Sequence, residues 1–71
     1  NLAQRIEEIR GALRRRRKLT FRALVPASAD ISLVVATFLA ILELLRRGLL
    51  DIEQVSNYGE ITIWSTEATA S

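Results

Sequence analysis

The chain has 71 residues, 49% hydrophobic and 25% charged, with a formal net charge of +2 and no cysteine, histidine or methionine. At this length it is one small domain that buries only about 60% of its unfolded surface. Without Cys or His it has no disulfide, no structural zinc site and no Ser-His-Asp or Cys-His catalytic set. A compact apolar core or a partner must stabilise it. The chemistry left to it is that of carboxylates, Lys, Ser, Thr and one Tyr, which needs a cleft that a few helices and a hairpin rarely build. No enzyme activity and no cofactor are expected.

The chain begins at Asn1 rather than Met and reads as helix at once, so it is expected to be a piece of a longer protein. Leu2, Ile6, Ile9 and Leu13 recur at spacings of four, three and four, which predicts a one-faced helix from about residue 2 to about residue 16. Glu7 sits three residues before Arg10 and is the carboxylate placed to pair on that helix. The arginines near its C-terminal end suit the helix dipole. Lys18 to Phe21 breaks the pattern. Leu19, Thr20 and Phe21 fit a very short strand, and Thr20 also reads as the N-cap of a short helix holding Phe21, Ala23, Leu24 and Val25. Pro26 ends that helix, because the residue before a proline avoids the helical region.

Ala27 to Asp30 is a turn, and Asp30 or Ser28 caps a long helix from Ile31 to about Arg47 that stops at Gly48. Its apolar run, Ile31 to Leu45, is too short for a membrane span of about 20 residues and contains Glu43. No apolar leader precedes it, so neither a membrane nor a secretory signal is expected. Leu49 to Val55 and Glu60 to Trp64 each alternate apolar and polar residues, with Ser56-Asn57-Tyr58-Gly59 as turn chemistry between them. That is a β-hairpin. Residues 1–64 are expected to form the domain and residues 65–71 a flexible tail. The whole is α+β: three helices with a C-terminal β-hairpin wing, in the order of a small winged helix-turn-helix domain.

The long helix is too apolar to read DNA, because base recognition needs Arg, Lys, Asn, Gln or Ser on the exposed side. At roughly 100° per residue, Ile31, Val34, Val35, Phe38, Ile41, Leu42 and Leu45 gather on one broad face, expected to be the core. Leu33, Ala36, Thr37, Ala40 and Leu44 lie opposite, with Leu39 at the margin. A helix apolar on both sides needs cover on both sides, so Leu33, Ala36, Thr37, Leu39, Ala40 and Leu44 are the candidate partner-binding surface. Cover from within the chain is the alternative.

Charge is unevenly spread. Residues 1–22 carry eight cations against Glu7 and Glu8, a balance of +6, and the remainder of the chain carries −4. Arg14, Arg15, Arg16, Arg17 and Lys18 are candidates to contact phosphate or an acidic surface. They lack interleaved aromatics or a glycine-rich loop, and a solvated helix end is the simpler reading. Trp64 and Tyr58 are expected to be packing or edge residues.

The stretch from Arg15 to Ile63, about two thirds of the chain, resembles a known family. Leu19-x-Phe21, Val35-Ala36-Thr37-Phe38-Leu39-Ala40, Leu42-Glu43-Leu44, Gly48, Gln54 and Gly59-Glu60-Ile61 are similar to the C-terminal domain of bacterial segregation and condensation protein A, the kleisin of the SMC complex. The sequence departs from that pattern at Ala27 to Leu33, where the family often has a more charged start to the helix. The resemblance implies a winged-helix domain that binds the ATPase head of one SMC subunit. In the full-length protein it implies a second SMC neck and a dimeric winged-helix protein as further partners, and a cytoplasmic, nucleoid-associated location. A DNA-binding winged helix using the Arg14 to Lys18 block stands as the alternative.

Overall fold

In the computed structural model, helix α1 (Leu2–Arg15), strand β1 (Lys18–Thr20), helix α2 (Phe21–Leu24), helix α3 (Ile31–Arg46), strand β2 (Leu50–Gln54) and strand β3 (Ile61–Ser65) follow in that order. The structure describes residues 1–54 and 60–67. The turn expected at Ser56 to Gly59, with Tyr58 in it, and residues 68–71 lie outside the described residues.

Each helix starts on a side-chain oxygen that accepts one of the otherwise unpaired N–H groups of its first turn. Asn1 Oδ1 accepts from Gln4 N–H at 2.8 Å, Thr20 Oγ1 from Ala23 N–H at 3.1 Å and Asp30 Oδ1 from Leu33 N–H at 3.0 Å. Thr20 thus closes β1 and opens α2, so the strand and cap readings of this segment both hold. At the end of α3, Gly48 takes φ 75°, a conformation glycine enters without a Cβ penalty. There the Gly48 N–H donates to Leu45 O and the Leu49 N–H to Leu44 O, both at 3.0 Å. This paired closure satisfies the carbonyls of Leu44 and Leu45 and brings Leu49 back onto the core.

The sheet is antiparallel in the order β1-β3-β2. Ile63 is fully buried between Leu19 of β1 and Ile52 of β2. The two-residue period of a strand then sends Lys18, Trp64 and Asp51 to the other face. Ile6, Ile9 and Leu13 of α1 meet Ala40, Ile41 and Leu44 of α3 over Leu50 and Ile63 to form the core.

Arg5 joins the three helices. Its Nε donates to Thr37 Oγ1 of α3 at 2.9 Å, its Nη2 to the Leu24 carbonyl of α2 at 2.8 Å, and its Nη1 to Glu8 at 3.2 Å. Among the described residues Thr37 is the buried polar side chain, at 0% exposure. Glu7 pairs with Arg10 as expected, and Glu8, which had no expected partner, pairs backwards along the helix with Arg5.

Two expectations change. Residues 65–67 are not a free tail. Ser65 N–H donates to Arg17 O at 3.0 Å, Thr66 N–H to Leu49 O at 3.1 Å, and Thr66 Oγ1 to Gly48 O at 2.6 Å. Glu67 meets Arg10 at 2.9 Å. The second change is the face of α3 that turns inward. Thr37, Ala40, Ile41 and Leu44 are buried, whereas Ile31, Val35, Phe38, Leu42 and Leu45 are exposed. Ile41 is buried as expected, but most of the expected core face is open and Thr37, Ala40 and Leu44 of the expected outer face are closed. The reason is fit: Thr37 and Ala40 are small enough to let α1 approach closely, and a row of Phe and Leu is not.

Leu44→Ala is expected to lower stability by about 2–5 kcal/mol through the cavity it leaves. Leu42→Ala, on the outer face, should change it by no more than about 0.5 kcal/mol. Urea unfolding followed by circular dichroism separates the two, and the reverse order would put the other face inside. Arg5→Met strips the donors from Thr37 and Leu24, so a loss of about 2 kcal/mol and a fall in Tm of roughly 10 °C are expected in a thermal melt. Hydrogen bonds from Arg46 and then Arg47 hold the Glu43 carboxyl at about 2, down from 4.5. The lowered value means that this contribution to stability is complete above about pH 4.5 and is lost as pH falls towards about 2. Acid unfolding of Glu43→Gln should be flatter than that of the parent across that window.

Candidate functional site

The outer side of α3 carries an unbroken apolar stripe. Ile31, Val35, Phe38, Leu39, Leu42 and Leu45 are 38–74% exposed, with Phe38 at 53%. At 100° per residue they fall within a sector of about 120°, along about 21 Å of helix. Monomeric proteins rarely expose contiguous apolar surface of this kind without a use for it. At the C-terminal end of the stripe, Glu43 is clamped between Arg46 and Arg47, each at 2.7 Å. An apolar centre with ionic groups at its margin is the make-up of a protein-docking patch.

The candidate partner-binding residues are redistributed by the side of α3 that turns inward. Thr37, Ala40 and Leu44 are buried and therefore closed to a partner. Leu33 and Ala36 are half-buried at the flank, and Leu39 is the one candidate on the open face. Ile31, Val35, Phe38, Leu42 and Leu45, expected in the core, are exposed instead. The signal for the right choice was residue size. The inward face of α3 mixes the small Thr37 and Ala40 with Ile41 and Leu44, and the Ile6-Ile9-Leu13 row of α1 packs against it.

The basic block lies elsewhere. Arg14, Arg15, Arg16, Arg17 and Lys18 are all exposed. The first two end α1, and Arg16 is extended at φ −136° and ψ 112°. Lys18 opens β1, an edge strand of the sheet. Trp64 is half-buried on β3, opposite Lys18 and Asp51.

Two shallow hollows hold one carboxylate each. One lies between Phe21, Arg22 and Glu60, with Arg22 Nε 3.9 Å from Glu60. The other lies between Arg17, Lys18, Glu53 and Trp64. Glu7, Glu8 and Asp51, the carboxylates that an acid–base pair would draw on, line neither. Among the described residues no group of three or more His, Cys, Asp and Glu is placed to hold a metal ion. No helix of the described residues is long and apolar enough to cross a membrane.

No curated protein matches the chain. The family model of segregation and condensation protein ScpA matches residues 2–66, from the first residue of α1 to the residue after β3. With the match running through every helix and strand, the chain belongs to the segregation and condensation protein ScpA family, kleisin-type structural subunits that associate with SMC complexes in chromosome segregation and condensation.

Proposed function

We propose that the chain is the C-terminal domain of a bacterial kleisin, and that it docks on the ATPase head of an SMC subunit through the outer face of α3. The observation that carries this reading is the six-residue apolar stripe, left open in a chain whose family associates with SMC components. The element order, with β3 between β1 and β2, agrees with a winged helix in which α3 takes the place of a recognition helix. Its open face offers apolar side chains where base reading needs polar ones. The surface therefore suits a protein partner.

On this reading the chain is a binding module that leaves ATP hydrolysis to the SMC subunit. Its three glycines, Gly11, Gly48 and Gly59, form no phosphate-binding loop motif. The neck of the second SMC subunit and a dimeric winged-helix protein would bind other parts of the longer kleisin. The place of action would be the nucleoid, in the cytoplasm. Phe38, the largest side chain of the stripe, would lie near its energetic centre, since full burial of a Phe or Leu side chain contributes about 1.5–3 kcal/mol.

The test is capture of a purified SMC head by the chain. Phe38→Asp and Leu42→Asp should each cut capture by roughly 100-fold or more through a buried, unpaired charge, with helical circular dichroism intact. Glu53→Lys, on the exposed edge strand β2, should leave capture unchanged. Loss with Glu53→Lys but not with Phe38→Asp would move the docking site to the strand edge. Failure of the unsubstituted chain to capture the head would overturn the reading.

A further inference from the structure

The cations of this chain divide into two sets. Arg5, Arg10, Arg22, Arg46 and Arg47 each face a carboxylate, at 3.2, 2.9, 3.9, 2.7 and 2.7 Å respectively. In the Arg14 to Lys18 block, Arg15, Arg16 and Lys18 form no ion pair among the described residues, and Arg14 acts on the Glu67 carboxylate only as the weakest of the influences on it, behind Arg10. All five side chains of the block are exposed. The helix dipole accounts for cations in the last turn of α1, Arg14 and Arg15. It does not account for Arg16, Arg17 and Lys18, which continue the charge past the helix along extended chain into β1.

We infer that this block is a second binding surface, which contacts the phosphate backbone of duplex DNA. The side-chain chemistry favours phosphate over an acidic protein. Protein interfaces centre on apolar residues and are depleted of charge there, whereas this run is five consecutive cations with no apolar residue among them. From Arg14 to Lys18 the backbone covers about 11 Å by helical and extended rises. At one phosphate per 3.4 Å of axis on each strand, that length faces about three phosphates of one strand, and long side chains reach further. Asp51 and Glu53 share the sheet face of Lys18 but stand on the opposite edge strand, with β3 between, and Glu53 borders the hollow that Arg17 and Lys18 line, so the phosphates would meet the block from its α1 side. Contact of this kind carries no base sequence information. It suits a chain whose family acts on chromosomes, and it does not depend on which surface meets the SMC head.

The test is fluorescence anisotropy of a labelled duplex of about 20 base pairs, titrated with the 71-residue chain between about 50 and 200 mM salt. Binding should weaken roughly 100-fold over that range, the mark of three to four phosphate contacts. Arg15→Gln, Arg16→Gln and Lys18→Gln together should reduce the log–log salt slope by about three, and Arg16→Gln alone by about one. Circular dichroism should be unchanged, because these side chains are exposed. Arg22→Gln, which removes a paired cation, should leave the slope as it was. Absence of binding at the lowest salt, or a slope indifferent to the triple substitution, would overturn the inference. Equal competition by polyglutamate and by unlabelled duplex would overturn it too, and would assign the block to an acidic protein.

Discussion

Arg5 occupies the junction of all three helices, and its guanidinium fixes how they meet. A planar fork of donors reaches Thr37 of α3, Leu24 of α2 and Glu8 of its own helix at once, which one ammonium group does not do with the same geometry. Thr37 is wholly buried, and a buried hydroxyl needs a partner. Turning that side of α3 inward therefore depends on Arg5 as well as on the apolar contacts around it. In a chain of 71 residues the core is small, so a polar joint of this kind is a large share of what selects one packing over another.

The consequence appears on the other side of α3. Burying Thr37, Ala40, Ile41 and Leu44 against α1 commits Phe38, Leu42 and Leu45 to the outside. The helix is capped by Asp30 at one end and closed by Gly48 at the other. The stripe is thus carried on a rigid, well-terminated element rather than on a loop. A partner would meet a preformed surface and lose little entropy in ordering it.

The apolar and basic surfaces are anchored separately. The stripe belongs to α3, and the cations belong to the end of α1 and the start of β1. They are linked through the closing segment of the chain. Ser65 bonds to Arg17 at the α1–β1 connection, and Thr66 bonds to Gly48 and Leu49 where α3 ends. The Glu67 carboxyl, held below its usual range by Arg10, ties the same segment to α1. The residues that complete the fold thereby fix the two proposed contacts relative to each other.

Local signals in the sequence determined the elements. The four-three-four spacing of Leu2, Ile6, Ile9 and Leu13, the caps at Thr20 and Asp30, the stop at Gly48 and the alternation around Ile52 and Ile63 correspond to what the structure contains. Each is a short-range effect of sterics or hydrogen bonding that a few neighbouring residues settle. The sequence also determined that α3 has two apolar sides and that one core does not cover both. Which side is open was decided only in three dimensions. Hydrophobic periodicity weighs Leu44 and Leu42 alike, because the two are chemically identical. What distinguishes them is the shape of α1 and the reach of Arg5, thirty-two residues from Thr37. The same holds for Ser65 to Glu67, whose small polar side chains resemble a tail until the partners that hold them are brought alongside by the fold.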